Sequence, residues 1–200
     1  MIGIIDYGLG NYKAFENVLN DASKKFTYVK EEDDLSKINC AILPGVGSFD
    51  NAIKKFREQS YFTTLNNLVI SSKLPILGVC VGMQIMTYSS DEGFETGLKW
   101  IEGSVKKFNN VTVPHLGWNK INIINKNEII FKNLSNNSEF YFLHSYFVDV
   151  EDQYVKATTK YEKNFCSIFQ KNHIYGVQFH PEKSHDNGKE IILNFCDKYA

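Results

Sequence analysis

Along the first half of the chain, short apolar runs alternate with segments whose apolar positions recur every three or four residues. Ile2 to Ile5, Phe26 to Val29, Ala41 to Leu43 and Ile76 to Val79 are runs of the first kind. Tyr12 to Ala22, Phe49 to Phe56, Phe62 to Ile70 and Val81 to Tyr88 have the helical spacing. This rhythm predicts strand, helix, strand units, and apolar runs without alternation predict parallel strands covered on both faces. The second half reads differently. Val105 to Phe108, Lys120 to Ile124, Glu139 to Phe142, Val155 to Thr159, Cys166 to Phe169 and Ile174 to Phe179 are strand candidates divided by turn residues, and a helix is expected only at Gly188 to Tyr199. The pattern predicts an α/β fold: one mixed sheet with a parallel centre flanked by helices and an antiparallel extension from the second half. No linker, repeat or low-complexity block divides residues 1–200, so a single domain is expected.

Composition narrows the function classes. Lys+Arg total 22 against 23 Asp+Glu, so the net charge of -1 offers no basic footprint for nucleic acid or a membrane surface. Arg57 is the only arginine, which leaves a single guanidinium fork for phosphate recognition. The four cysteines form no CxxC pair, which removes the common zinc and dithiol spacings. No apolar stretch reaches the roughly 20 residues that span a bilayer, and Met1 runs straight into Ile2-Gly3-Ile4-Ile5 without a basic leader, so a cytoplasmic protein with reduced thiols is expected.

Three segments carry candidate chemistry. In Leu74-Pro75-Ile76-Leu77-Gly78-Val79-Cys80-Val81-Gly82-Met83-Gln84, an apolar strand ends at a cysteine with a glycine two residues to either side. Glycines so placed permit the sharp strand-to-helix turn that presents a nucleophile, with backbone amides at the helix start to receive an oxyanion. Gln84 falls on the same helix face as Cys80. Read blandly, the same residues are a buried cysteine in a glycine-punctuated strand. In Gly176-Val177-Gln178-Phe179-His180-Pro181-Glu182-Lys183-Ser184, a strand delivers His180 to its end. Pro181 favours extended backbone there, so Glu182 lies on the same side as His180: a base with a carboxylate to orient it. A metal reading of His180, Glu182 and His185 lacks the spacing and a fourth ligand, and no metal is expected. Ala41-Ile42-Leu43-Pro44-Gly45-Val46-Gly47-Ser48-Phe49 reads as strand, glycine turn and helix with Ser48 at the N-cap. Gly8-Leu9-Gly10-Asn11 lacks the third glycine of a dinucleotide fingerprint, since Lys13 stands there, and no cofactor is expected.

Taken together, Pro44-Gly45-Val46-Gly47, the segment Gly78 to Gln84 and Phe179-His180-Pro181-Glu182-Lys183-Ser184 resemble the class I (triad) glutamine amidotransferases. Asp6-Tyr7-Gly8-Leu9-Gly10-Asn11, Val113-Pro114-His115-Leu116-Gly117-Trp118-Asn119 and Tyr141-Phe142-Leu143-His144-Ser145-Tyr146 are further similar to the glutaminase subunits of imidazole glycerol phosphate synthase in histidine biosynthesis. The resemblance covers essentially the whole chain. It implies that Cys80 attacks the carboxamide of glutamine, that His180 moves the proton and that Glu182 orients His180. It implies oxyanion donation by the amides of Val81 and Val46, and a glutamine pocket lined by Gly47, Gln84, Ser145 and Tyr146, with Gln84 helping to hold the α-groups. The family's arrangement makes the partner a (β/α)8-barrel cyclase subunit that receives the ammonia, with Asn11, Pro114, Trp118 and Lys183 at the interface. Phosphate recognition then belongs to the partner, which accords with one arginine. Related glutaminase subunits feed sugar-amidating synthases of surface polysaccharide biosynthesis, and that is the alternative function. Val81 stands where the family pattern usually has leucine and Ser48 where alanine is common; backbone roles survive both changes. A cysteine hydrolase of another kind and a non-catalytic docking scaffold are the competing classes, and trapping of Cys80 by a glutamine-like electrophile separates them.

Overall fold

The computed structural model describes residues 1–109, 111–161 and 163–200. The first half folds as β1 (Ile2–Ile5), α1 (Tyr12–Asp21), β2 (Phe26–Val29), β3 (Cys40–Leu43), α2 (Phe49–Arg57), α3 (Phe62–Ile70), β4 (Ile76–Val79) and α4 (Val81–Gln84). The second half adds β5 (Gly103–Lys107), β6 (His115–Lys120), β7 (Asn122–Ile123), β8 (Glu139–His144), β9 (Tyr146–Val150), β10 (Val155–Tyr161), β11 (Lys163–Lys171), β12 (Ile174–Val177) and α5 (His185–Tyr199). β2, β1, β3, β4 and β12 run parallel in that order, and β11, β10 and β7 continue the sheet antiparallel. β9 joins β11, β5 joins β9, and β6 with β8 forms a separate two-stranded ribbon. The mixed sheet with a parallel centre flanked by helices is therefore present. The central strands β1, β3, β4 and β12 are buried at every position, which is why they read as unbroken apolar runs.

Sequence and structure part at three places. The helix expected over Val81 to Tyr88 stops after one turn at Gln84. Met86 and Thr87 bond the carbonyls three residues back, the Thr87 hydroxyl also takes the Gln84 carbonyl, and the free carbonyls of Ile85 and Met86 are claimed by Leu98 and Trp100. Lys120 to Ile124 is not one strand: Lys120 ends β6 and only Asn122–Ile123 pairs in β7. Strands β6 and β9 were not expected from the pattern.

The parallel register of β4 with β12 matters most for function. Val79 faces Val177 and the Cys80 amide donates to the Val177 carbonyl at 2.8 Å, so the residues leaving both strands, Cys80 and Gln178 to His180, emerge side by side. Phe179 between them is fully buried and stacks on Phe140 of β8, ring centroids 4.1 Å apart. Truncating such a ring costs about 3–5 kcal/mol, so the path to His180 is anchored in the core.

Candidate active site

The turn from β4 into α4 puts Cys80 at φ 54° and ψ -113°, a left-handed conformation rare for a residue with a side chain. Close backbone packing enforces it. A Cβ on Gly82 would lie 2.1 Å from the Leu43 carbonyl oxygen, one on Gly45 would lie 2.1 Å from the Gly82 nitrogen, and one on Gly78 would lie 2.8 Å from the Gly82 oxygen. The Pro44 to Gly47 loop thus sits directly on the cysteine turn. Gly47, at φ +90° with open space around it, supplies the unusual backbone angle instead. Ser48 holds the N-cap position of α2 but its side chain makes no capping bond; the Glu92 carboxylate accepts from the Phe49 amide at 2.8 Å in its place.

His180 is held from three sides. Its amide donates to the Tyr141 carbonyl at 2.8 Å, and the Ser184 hydroxyl donates to the His180 carbonyl at 2.6 Å while accepting from the Tyr141 amide at 2.9 Å. Its ring Nδ1 meets Glu182 Oε1 at 2.9 Å, with both side chains buried. Among the described residues the other Glu182 oxygen has no protein partner. Burial alone pulls the imidazole pKa down, but the Cys80 sulfur and the Glu182 carboxylate beside it outweigh that and push it up to about 10. Nδ1 is taken by the carboxylate, and His180 lines the same cleft as Cys80.

A cleft of about 290 Å³ opens over this group, lined by Val46, Gly47, Cys80, Val81, Gln84, Pro114, Ser145, Tyr146, His180 and Lys183 together with Glu92, Leu143 and His144. That size suits a small molecule rather than a macromolecule. Glu182 stands behind His180. Asn11 is exposed and outside the cleft, and Trp118 lies in a neighbouring groove, stacked on His185 with ring planes 7° apart. His185 lines that groove and not the cleft that holds His180. Gln84 donates from its amide nitrogen to the Tyr146 carbonyl and to Gln178 Oε1, both at 3.1 Å. Gln178 in turn points its amide nitrogen at the Cys80 sulfur, 3.9 Å away. Sequence reasoning missed Gln178, Glu92, Leu143 and His144. Gln178 was detectable, since it lies two residues before His180 on the same face of an extended segment; Glu92, in a loop, carried no such signal.

The sequence profile of the class-I glutamine amidotransferases matches residues 3–199. The chain belongs to that family. The imidazole glycerol phosphate synthase subunit HisH of Leptospira borgpetersenii is 48% identical over 203 residues, with 98% of this chain and 99% of that protein covered. A second such subunit, from Methanococcus maripaludis, is 43% identical over 199 residues and 98% of each chain. The structure of PurLQS from Thermotoga maritima superposes with a TM-score of 0.76 at 16% identity over 98% of this chain and 97% of that one, a likeness of fold.

An amidotransferase of this class depends on a cysteine, and the placement of the thiols is selective. All four cysteines are free and buried, yet Cys80 alone reaches the cleft. Cys166 is enclosed in apolar surroundings that push its thiol pKa up, the opposite of an activated nucleophile.

Proposed function

We propose that the chain is the glutaminase subunit of an imidazole glycerol phosphate synthase. It hydrolyses glutamine to glutamate through a Cys80 thioester and passes the ammonia to a cyclase subunit for histidine biosynthesis. The observation that carries the chemistry is the strained Cys80 turn set beside the His180–Glu182 pair at the floor of one cleft. The Cys80 sulfur adds to the carboxamide carbon, and the amides of Val81 and Val46 receive the oxyanion. His180 holds the proton given up by the thiol, with Glu182 fixing its tautomer, and delivers it to the departing nitrogen. Water, deprotonated by the same ring, then attacks the thioester and releases glutamate. Gly47, Gln84, Ser145 and Tyr146 form the walls that hold the substrate.

Support for a partner comes from the rim of the cleft. Val46 and Leu143 are exposed apolar side chains on the cleft, Val113 precedes the lining residue Pro114, Leu116 pairs with Leu143 across the ribbon, and Trp118 is exposed in the neighbouring groove. β6 shows its apolar side outward: His115 is buried while Leu116 and Trp118 are 60% and 47% exposed. An exposed apolar patch around a reaction cleft is the kind of surface that a second subunit covers. The (β/α)8-barrel cyclase subunit is the proposed occupant, with Pro114, Trp118, Lys183 and Asn11 as contact residues. The two HisH relatives are named as subunits of that synthase, in accord with this reading.

The test is glutamate release from glutamine by this chain mixed with the cyclase subunit from the same cell, with and without the ribulosyl phosphate acceptor. Release that requires the cyclase and rises with the acceptor supports the assignment. Absence of complex and of stimulation, with Cys80 still alkylated by a glutamine-like electrophile, keeps the glutaminase and replaces the partner with a different synthase.

A further inference from the structure

Two buried histidines, His144 in the wall of the cleft and His115 beside it, take no part in the chemistry above. His115 of β6 and His144 of β8 face each other in the ribbon register, with His115 Nδ1 3.0 Å from His144 Nε2. Their protons can be assigned from the ends of the chain inward. His144 Nδ1 lies 2.8 Å from the Tyr146 carbonyl, which only accepts, so Nδ1 carries the hydrogen and Nε2 is an acceptor. His115 Nδ1 must then donate to it, which makes His115 Nε2 an acceptor, and the Asn119 amide nitrogen stands 3.1 Å from that atom. Asn119 is oriented independently: its oxygen accepts from the Lys120 amide at 2.8 Å and its nitrogen also donates to the Lys160 carbonyl at 3.0 Å. Both ends therefore give one direction of donation.

The rings are clamped as well as bonded. His115 is sandwiched between Tyr161 and Phe142, with centroids 4.0 Å and 4.8 Å away and planes tilted by only 22° and 24°. His144 packs against Phe108, Phe142 and Phe165. Both rings are buried, and burial pushes their pKa values down, to about 4 for His115 and about 3 for His144. The titratable groups facing the pair are each other, Tyr161 and His180. The Tyr146 carbonyl that ends the line is also the acceptor for Gln84, whose partner Gln178 points at Cys80.

Resting on the function proposed above, we propose that His115 and His144 are positioning residues. They form a neutral, one-directional relay of N–H donors from Asn119 to the Tyr146 carbonyl that fixes the Ser145–Tyr146 wall of the glutamine pocket. The relay starts on the strand whose outward face carries Leu116 and Trp118, so the side of the ribbon that a partner covers and the wall that holds substrate share one rigid element.

Two measurements test it. Nitrogen-15 NMR of the imidazoles in the full chain between about pH 5.5 and 8 reads the tautomer directly, since an ordinary histidine titrates near 6.5 in that range. The relay requires neutral rings with hydrogen on Nδ1 at both residues throughout; hydrogen on Nε2, or a charged ring, at either residue overturns it whether or not the protein turns glutamine over. The second is glutamine kinetics in the complex with the synthase partner. In His144→Asn the amide nitrogen takes the place of Nδ1 and keeps the donor, whereas His144→Leu removes it. Loss of one buried hydrogen bond predicts a rise in KM of about 10-fold for His144→Leu, with kcat changed less; His144→Asn keeps the donor to Tyr146 but loses the acceptor for His115, so its KM should rise by about 3-fold, as should that of His115→Leu. His115→Leu should raise KM alone but add nothing in the His144→Leu background. Equal KM for His144→Asn and His144→Leu, or effects of His115→Leu and His144→Leu that multiply, would overturn the relay. A wild-type complex inert toward glutamine would count against the glutaminase assignment instead.

Discussion

Gly82→Ala probes the packing that shapes the site. The added methyl would stand 2.1 Å from the Leu43 oxygen, 3.1 Å from the Leu43 carbonyl carbon and 3.2 Å from the Pro44 carbonyl carbon. Ordinary carbon–oxygen contacts begin near about 3.3 Å, and both sides of the contact are backbone, so no rotamer change relieves the overlap. The cysteine turn and the Pro44 to Gly47 loop must separate by about 1 Å. Overpacking of this kind costs about 1–3 kcal/mol, which in a chain of this size lowers Tm by about 3–10 °C. The catalytic cost is larger in proportion. The Val46 and Val81 amides lie on opposite sides of the contact, and a displacement of about 1 Å in reacting geometry costs on the order of 100-fold in kcat. Thermal unfolding and glutamate release in the synthase complex measure the two effects. Gly8→Ala is the control: Gly8 is at φ +89° with nothing near its Cβ position, so it carries only backbone strain of about 1 kcal/mol. If Gly82→Ala is no less stable than Gly8→Ala and keeps wild-type kcat, the close approach does not shape the site.

Glu182→Gln should lower the His180 pKa from about 10 and reduce kcat by roughly 10²–10⁴-fold, since the ring loses its charged orienter; glutaminase kinetics with NMR titration of His180 check both. The buried pair His115 and His144, with pKa values about 4 and about 3, makes the unfolded chain the stronger proton binder below pH 6.5. Their contribution is therefore present above about pH 6.5 and is lost as the pH falls, by about 2 kcal/mol for each ring at pH 5; urea unfolding of wild type against the double leucine variant isolates it. His180 has the opposite sign: its stabilisation is complete below about pH 6.5 and is lost as the pH rises through about 10, and Cys80→Ser should diminish that alkaline loss in the same unfolding assay. Leu116→Asp places a charge at a 60% exposed rim position, so it should leave Tm within about 2 °C of wild type while weakening the cyclase complex on the order of 100-fold, read by titration calorimetry.

What was legible in the sequence follows from what each segment buries. β1, β3, β4 and β12 hide both faces, so apolar runs located them to within about two residues. The positions of Cys80 and His180 follow local backbone rules, glycines for a tight turn and a proline that holds His180 extended, whereas Glu182 meets His180 from a 3-10 turn over Pro181–Lys183 and not from the extended backbone expected of it. β6 escaped because its pattern is inverted, with His115 inside and Leu116 and Trp118 outside. Periodicity assigns apolar positions to the inside, and the proposed partner face of β6 carries them on the outside. α4 escaped for another reason: its length is set by carbonyl partners from Leu98 and Trp100, far along the chain. Glu92 reaches the cleft by capping α2 across 43 residues of sequence.

The most direct test of the account is a comparison of wild type and Cys80→Ser, each reconstituted with the cyclase subunit, with product formation followed separately from glutamine and from ammonium salts. The account predicts that Cys80→Ser abolishes the glutamine-dependent reaction and leaves the ammonia-dependent one at the wild-type rate. Glutamine-dependent product at the wild-type rate, or equal loss of both reactions in a complex that still assembles, would contradict it.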